Sequence, residues 1–354
     1  MSKILFFIPS LFNSAGTERI STSLANALQK KGYDVDFVVH SSSRESFYKL
    51  NSGITIYSLF LNGNINNHKI KAAIRLRSLI KSHKYDIIIN VGVACANVTM
   101  LVMPQMLGCK VISWEHFSIK GLNFKRRLKH YISVLFSNYT VVLTKADRSA
   151  YPKIFDYKMA VIPNFTDINP LQKVSSLSNK VVLACGRLEE EVKRFNLLLR
   201  IWSRVHTKMP GWILRIVGDG DSSLLKNEAE ELKINDSVQF VGRCSDMSVE
   251  YLNSSLFVLT SKYESFSLVI IEAKSFGIPV ISFDCPFGPR EIVQNGMDGL
   301  LIENDNTSAF SEAMIRLMKD EELRQNMGRS AVLDYLDRWN VHKIIDKWLV
   351  IFNS

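Results

Sequence analysis

Glu264 and Glu272 lie eight positions apart in Ser261-Lys-Tyr-Glu264-Ser-Phe-Ser-Leu-Val-Ile-Ile-Glu272. Phe257-Val-Leu-Thr260 upstream reads as a buried strand, and 267–276 reads as a helix. Glu264 then falls in the strand-to-helix loop, and Glu272 one to two turns inside the helix. Between them is a helix N-terminus, whose free N–H groups and positive dipole end favour a phosphate. A ligand of the form sugar–diphosphate–nucleoside fits this layout. Its phosphates would meet the helix end, one carboxylate the sugar hydroxyls and the other the ribose hydroxyls. The plainer explanation is that the dipole alone favours glutamates near a helix start.

The elements that must hold these groups repeat along the chain. Ile4–Ile8 reads as a strand, Glu18–Lys31 as a helix stopped by Gly32, and Val35–Val39 as a strand. Further on, Ile70–Lys81 (helix), Ile87–Asn90 and Val111–Trp114 (strands), Phe124–Phe136 (helix), Tyr139–Leu143 and Val161–Pro163 (strands) complete the first half. The region 87–107 is apolar but carries Asn90, Asn97, Thr99 and Pro104, which suits a buried strand and helix better than a membrane span. After the polar segment Leu171–Asn179 the pattern restarts. Val181–Cys185, Trp212–Val217, Val238–Val241, Phe257–Thr260 and Val280–Phe283 read as strands; Phe195–His206 and Leu224–Leu232 read as helices. Helical patterns fill 308–354. Continuous apolar strands alternating with helices predict an α/β chain with parallel sheets covered on both faces.

The 354 residues allow two domains. Charge divides the chain: residues 1–165 hold 22 Lys+Arg against 8 Asp+Glu, a net of +14, and 166–354 hold 22 against 26, a net of −4. The basic half should seek an anionic partner. Five scattered cysteines without ligand spacing read as reduced thiols, and the apolar run after Met1 is too short for a secretory signal.

Several short motifs then fall into one order. They are Pro9-Ser-Leu-Phe-Asn-Ser-Ala15-Gly16-Thr-Glu18-Arg19, Trp114-Glu-His116-Phe117, Val161-Ile-Pro163-Asn164, Gly186-Arg187-Leu188 with Lys193, Gly218-Asp-Gly220, Phe240-Val-Gly242-Arg243, the Glu264/Glu272 segment with Gly277-Ile-Pro279, and Asn295-Gly296. Together they resemble retaining, nucleotide-sugar-dependent glycosyltransferases of the GT-B fold, specifically glycosyltransferase family 4 (glycosyl transferases group 1). The resemblance covers most of the chain and is strongest over 181–300.

It implies two facing Rossmann-like domains with a cleft: 1–168 (acceptor side, basic), 169–335 (nucleotide-sugar binding), and a C-terminal helix 336–354 packing back on the first domain. Glu264 and His116 become the candidate catalytic residues. Gly16, Arg187, Lys193, Arg243, Phe266, Ser267, Leu268 and Glu272 become the donor-binding set. Arg187 and Lys193 would hold the diphosphate, stabilising the charge that builds as the glycosidic bond breaks. The loop before Lys193 is one residue longer than the family's common spacing, and Arg194 stands where glycine is frequent, so Arg194 is an alternative second cation. No cofactor and no metal are expected. Asp34-Val-Asp36 has the form of a metal-binding D-x-D, but it opens a strand and lacks a third ligand.

The expected reaction transfers a sugar, with retention, from a nucleotide donor (UDP-sugar favoured over GDP-sugar) to a glycan or lipid-linked acceptor in surface polysaccharide or lipopolysaccharide assembly. The alternative is a non-catalytic nucleotide-sugar or glycan binder on the same fold; an epimerase or glycogen-type synthase is a third reading. Lys120, Lys125, Arg126, Arg127 and Lys129 lie on or beside a helix with Phe124, Leu128, Ile132 and Leu135, and a second basic helix carries Lys69, Lys71, Arg75, Arg77, Lys81 and Lys84. That pattern predicts peripheral attachment to an anionic membrane surface, here the cytoplasmic face. Nucleic acid is not expected, for want of an aromatic-basic recognition motif.

Overall fold

The structure is a computed structural model. It describes residues 2–13, 15–61, 63, 65–166, 174–188, 190–244 and 246–354; the side chains of Asn66 and Glu190 stand outside that description. The chain forms two compact units, Met1–Phe165 with Val341–Ser354, and Thr166–Asn340. The expected boundary at 168/169, and part of the segment 171–179, fall outside the described residues.

The first unit runs β1 (Lys3–Ile8), α1 (Gly16–Lys30), β2 (Asp34–Val39), β3 (Thr55–Ser58), α2 (Lys69–His83), β4 (Ile87–Val91), α3 (Val93–Val102), β5 (Lys110–Trp114), α4 (Phe124–Leu135), β6 (Tyr139–Val142), α5 (Lys145–Ser149) and β7 (Met159–Val161). Its seven strands lie in the order β3-β2-β1-β4-β5-β6-β7, every pair parallel. Ile4 to Ile8 are shut off from solvent on both faces, which is why β1 is an unbroken apolar run and not an alternating one.

The second unit runs β8 (Val181–Cys185), α6 (Glu190–Lys193), α7 (Phe195–His206), β9 (Ile213–Val217), α8 (Ser223–Glu231), β10 (Val238–Gly242), α9 (Met247–Leu252), β11 (Leu256–Leu259), α10 (Leu268–Ser275), β12 (Val280–Phe283), α11 (Gly288–Ile292), β13 (Gly299–Ile302), α12 (Thr307–Lys319) and α13 (Glu321–Asp334). Its sheet, again parallel, has the order β10-β9-β8-β11-β12-β13. Each sheet therefore has the doubly wound order in which early strands go one way from the centre and later ones the other.

Two strands have no counterpart in the sequence reading. Both β3 and β13 are sheet edges, mostly half-buried, and carry no long apolar run. The strand expected at Val161–Pro163 is β7, two residues earlier, because Pro163 has no N–H to give a ladder. The expected last segment, 336–354, is split. A π-helical turn, Tyr335–Trp339, stays with the second unit, and the helix α14 (Val341–Asn353) belongs to the first.

What fixes α10 is a buried ion cluster. Lys274 has no solvent exposure, and its ammonium donates to Asp298 Oδ2 (2.7 Å), the Ile292 carbonyl (2.8 Å) and Asp334. Asp334 also accepts from Arg338 Nη2 and Trp339 Nε1, each at 2.8 Å. Burial alone would raise the Asp334 carboxyl, but Arg338 and Lys274 hold it below the usual carboxylate range; for Asp298 burial prevails over Lys274 and the carboxyl is raised. Lys274→Met keeps the volume and removes the charge that faces Asp298. It is expected to lower the unfolding free energy by about 3 kcal/mol, seen as a lower urea midpoint at unchanged slope. A midpoint equal to that of the parent protein would show that the cluster contributes nothing net.

Candidate functional site

The site of the second unit forms where its strands end. The loop after β8, Gly186-Arg187-Leu188, packs against the loop after β9: Gly186 N donates to Val217 O at 3.0 Å and Leu188 N to Asp219 O at 2.9 Å. A Cβ on Gly218 would sit 1.8 Å from the Gly186 carbonyl oxygen, so only glycine permits this approach. A Cβ on Gly186 would meet Lys193 Cε at 3.0 Å and Cδ at 3.2 Å. The missing side chain at Gly186 is thus the channel along which the lysine stem runs.

That stem ends on Glu264. Lys193 Nζ donates to Glu264 Oε1 at 2.6 Å, with both side chains largely shielded from water. The same oxygen accepts from Ser261 Oγ at 2.8 Å, and Gly288 N donates to the Glu264 carbonyl at 3.3 Å. Glu264 is therefore oriented at both its backbone and its carboxylate. Arg194 points elsewhere: its guanidinium pairs with Asp305 and lies 5.8 Å from the Phe283 ring centroid. It also takes a left-handed φ of 57°, the physical reason for glycine at such a position. Of the two adjacent cations, Lys193 is the one brought to Glu264.

Helix α10 begins beside this pair. Ser267 is its N-cap but makes no side-chain cap, and its hydroxyl, buried, has no hydrogen-bond partner among the described residues. Phe266 is pinned edge-on to Trp339 at 5.8 Å. Glu272 lies in the second turn of the helix and is 1% exposed; its Oε2 accepts from Tyr251 OH at 2.8 Å. Arg187 and Arg243 are exposed at the ends of β8 and β10. Sequence reasoning missed the roles of Ser261 and Lys274, and took Gly288 for a scaffold turn only. Ser261 three residues before Glu264 was the available signal; the others act across long stretches of chain.

In the first unit, Gly16 is the first residue of α1, and Ser14 of the same loop lies outside the described residues. His116 follows β5 and is 6% exposed; its Nε2 has no hydrogen-bond partner among the described residues, and its ring stands 4.4 Å from that of Trp114. Asp34 and Asp36 are spent on structure: Lys3 bridges both, at 3.2 and 3.3 Å, and Tyr85 OH donates to Asp36 at 2.8 Å. No group of three His, Cys, Asp or Glu able to hold a metal ion occurs among the described residues.

Helix α4 turns an apolar stripe outward. Phe124, Leu128 and Leu135 are all exposed, and so are Lys125, Arg126 and Lys129. Its buried residues are His130, Ser133 and Val134. Phe136 and Met106 are exposed too, and Gln105 donates to the Phe136 carbonyl, which ties the turn bearing Met106 to the end of α4. Helix α2 buries Ala72, Ala73, Leu76 and Ile80 and exposes Ile70, Ile74, Lys71 and Lys81; Arg75 and Arg77 donate to the Leu59 and Val102 carbonyls, and Lys84, expected within the helix, is its left-handed C-cap. No described helix is long and apolar enough to cross a membrane.

Two parallel, doubly wound units of this kind define the GT-B architecture. Residues 14–169 match the family described as Glycosyltransferase Family 4, and residues 167–333 match Glycosyl transferases group 1. The chain is 34% identical over 353 residues to an uncharacterized glycosyltransferase of Haemophilus influenzae, covering 98% of this chain and 99% of that one. It is 30% identical over 370 residues to the amylovoran biosynthesis glycosyltransferase AmsD of Erwinia amylovora, covering 100% of both. The chain accordingly belongs to glycosyltransferase family 4, and it is a glycosyltransferase. Its fold is shared with S. aureus TarM, crystallised with UDP, alpha-GlcNAc-glycerol and fondaparinux, at a TM-score of 0.82, 17% identity and full coverage of both chains.

Burial drives the His116 imidazole down from 6.5 to about 3. As pH falls below 6.5 the unfolded chain takes up a proton that the folded chain refuses until near 3. This contribution to stability is whole above that window and is lost within it, at up to about 1.4 kcal/mol per pH unit. His116→Gln is expected to flatten the acid-side loss by that amount in urea titrations between about pH 6 and pH 4.5. Parallel curves for the two proteins would place His116 in a more solvated setting.

Proposed function

We propose that this glycosyltransferase moves a sugar, with retention, from a UDP-sugar to a glycan or lipid-linked acceptor in surface polysaccharide assembly. The observation that carries this reading is the Lys193–Glu264 pair beside the first amides of α10. A cation, a carboxylate and free main-chain donors are the groups that a diphosphate joined to a sugar requires. The relative named for amylovoran biosynthesis supports the pathway class, and the UDP in the TarM crystals supports the base.

In this reading Lys193, Arg187 and the amides of Phe266, Ser267 and Leu268 hold the diphosphate. As the glycosidic bond lengthens, negative charge gathers on the leaving phosphate, and fixed cations stabilise it most at that moment. The phosphate oxygen then takes the proton of the incoming hydroxyl, which attacks from the face the diphosphate is leaving. Glu264 binds hydroxyls of the transferred sugar. Glu272, oriented by Tyr251, takes the ribose, and Arg243 lies on the nucleobase side. On the first unit, His116 and the Gly16 loop keep the sugar-side and acceptor-side roles that the family resemblance implies. Side-chain cations and a helix end supply the positive charge for which other glycosyltransferases use a divalent ion.

The test is nucleoside diphosphate release from UDP-glucose, UDP-galactose, UDP-GlcNAc, UDP-GalNAc and GDP-mannose, with and without EDTA. Glu264→Gln and Lys193→Ala are expected to lower turnover by about a hundredfold or more, and Arg194→Ala by less than about threefold. EDTA should leave the rate unchanged. Thermal stabilisation by a donor without any release would mark a binder, and a wild-type rate for Lys193→Ala would move the second cation to Arg194.

The outward apolar stripe and cations of α4 support attachment to an anionic bilayer at the cytoplasmic face, where lipid-linked acceptors are held. Lys125→Gln with Lys129→Gln is expected to weaken binding to phosphatidylglycerol vesicles on the order of thirtyfold at low salt, at about 1 kcal/mol per cation. Equal sedimentation of the variant and the parent protein would remove α4 from the interface.

A further inference from the structure

His116 is a small polar ring in a buried place, and its Nε2 has no hydrogen-bond partner among the described residues to set its angle. Its orientation must come from packing. The ring next to it is Trp114, 4.4 Å away and inclined at 48°. Trp114 is itself 1% exposed and meets Trp348 edge-on at 5.1 Å and 78°. Trp348 belongs to α14, and beyond it Phe352 follows at 5.9 Å and Tyr33 at a further 5.8 Å. Four aromatic rings and the imidazole thus form one continuous run of tilted and edge-on contacts.

The same strand grips α14 twice. In β5, residues 110, 112 and 114 lie on one face by the two-residue period. Lys110 at one end donates to the Phe352 carbonyl at 2.8 Å, the Ile351 carbonyl at 3.3 Å and the Ser354 carbonyl, capping the negative end of the helix. Trp114 at the other end meets Trp348. Helix α14 presents Ile344, Ile345, Trp348, Ile351 and Phe352 inward at helical spacing, so its rotation about its own axis is fixed by burial. Its seat therefore sets where the Trp114 indole stands, and the indole sets the imidazole.

We propose that Trp348 is a positioning residue for His116, acting through Trp114, so that the helix α14 holds the imidazole in its place. This rests on the reading of His116 as the residue that serves the transferred sugar. Trp348 itself touches no substrate. Removing it opens a void behind Trp114, and the indole and imidazole can then settle at other angles. Trp348→Phe leaves an aromatic edge against Trp114 and should preserve most of the alignment.

The experiment compares Trp348→Ala, Trp348→Phe, Lys110→Met, His116→Ala and the double variant Trp348→Ala/His116→Ala. Two readouts are used: steady-state turnover with the best donor of the panel above, and the titration of the His116 Cε1 resonance in protein carrying 13C-labelled histidine. Trp348→Ala is expected to lower kcat by tenfold or more, with KM for the donor held within about threefold. The His116 resonance, silent near neutral pH in the parent protein, should titrate between about pH 5 and 7. The loss should vanish in the His116→Ala background, and Trp348→Phe should recover most of the rate. Should Trp348→Ala not fold, the titration of the His116 resonance in Lys110→Met, which frees the end of α14 and should shift it the same way, decides the matter. An unmoved His116 resonance, or losses from Trp348→Ala and His116→Ala that simply multiply, would overturn the proposal. Full activity in His116→Ala would instead overturn the reading of the site, and the resonance would still judge the link to Trp348.

Discussion

The ammonium of Lys274 has left water entirely and meets three acceptors from two separated stretches of chain, Ile292 and Asp298 in one and Asp334 in the other. Burying an ion is costly unless its partners are placed well, so the arrangement tolerates little displacement. Its consequence is positional. Helix α10 cannot slide or rotate without stripping a charge of its partners, and α10 carries Glu272 and presents its N-terminus beside Glu264. Asp334 stands where α13 gives way to the π-helical turn, and Trp339 of that turn donates to Asp334 while Phe266 packs on its ring. The cluster thus ties the loop before α10, the helix itself and the departure of the chain toward α14 into one rigid piece.

Against that frame the Lys193–Glu264 contact is adjustable. It lies at the ends of parallel strands, where backbone donors of β8 and β9 are already used in loop-to-loop bonds and only side chains can reach further. The pairing keeps each charge compensated while no ligand is bound, and both groups are shielded enough for the interaction to be stronger than a surface pair. In the proposed reaction a diphosphate would draw Lys193 away, and sugar hydroxyls would donate to Glu264 in its place. The Ser261 hydroxyl and the Gly288 amide keep Glu264 aimed throughout.

The first unit is held more by apolar packing. The sheet is apolar along Ile4–Ile8 of β1, and His116 is held neutral by the lack of water around it. Cations of α2 and α4 accompany exposed Ile70, Ile74, Phe124, Leu128 and Leu135. A helix whose inner face is His130, Ser133 and Val134 gains little from its own apolar stripe unless something outside the domain covers it.

The sequence by itself determined the strand–helix alternation, the parallel sheets and the candidate residues. Those signals are local: a strand buried on both faces must be apolar throughout, and a motif such as Gly186-Arg187-Leu188 lies within a few residues of itself. It could not choose between Lys193 and Arg194, because adjacent residues at a helix entry leave in different directions once one of them adopts φ > 0. It gave no sign of β3 or β13, whose edge positions relax the demand for apolar residues, nor of the charges around Lys274, whose partners are 24 and 60 residues away. The contact of Trp348 with Trp114 was equally hidden. Such pairings depend on where whole elements come to rest, and only the folded chain decides that.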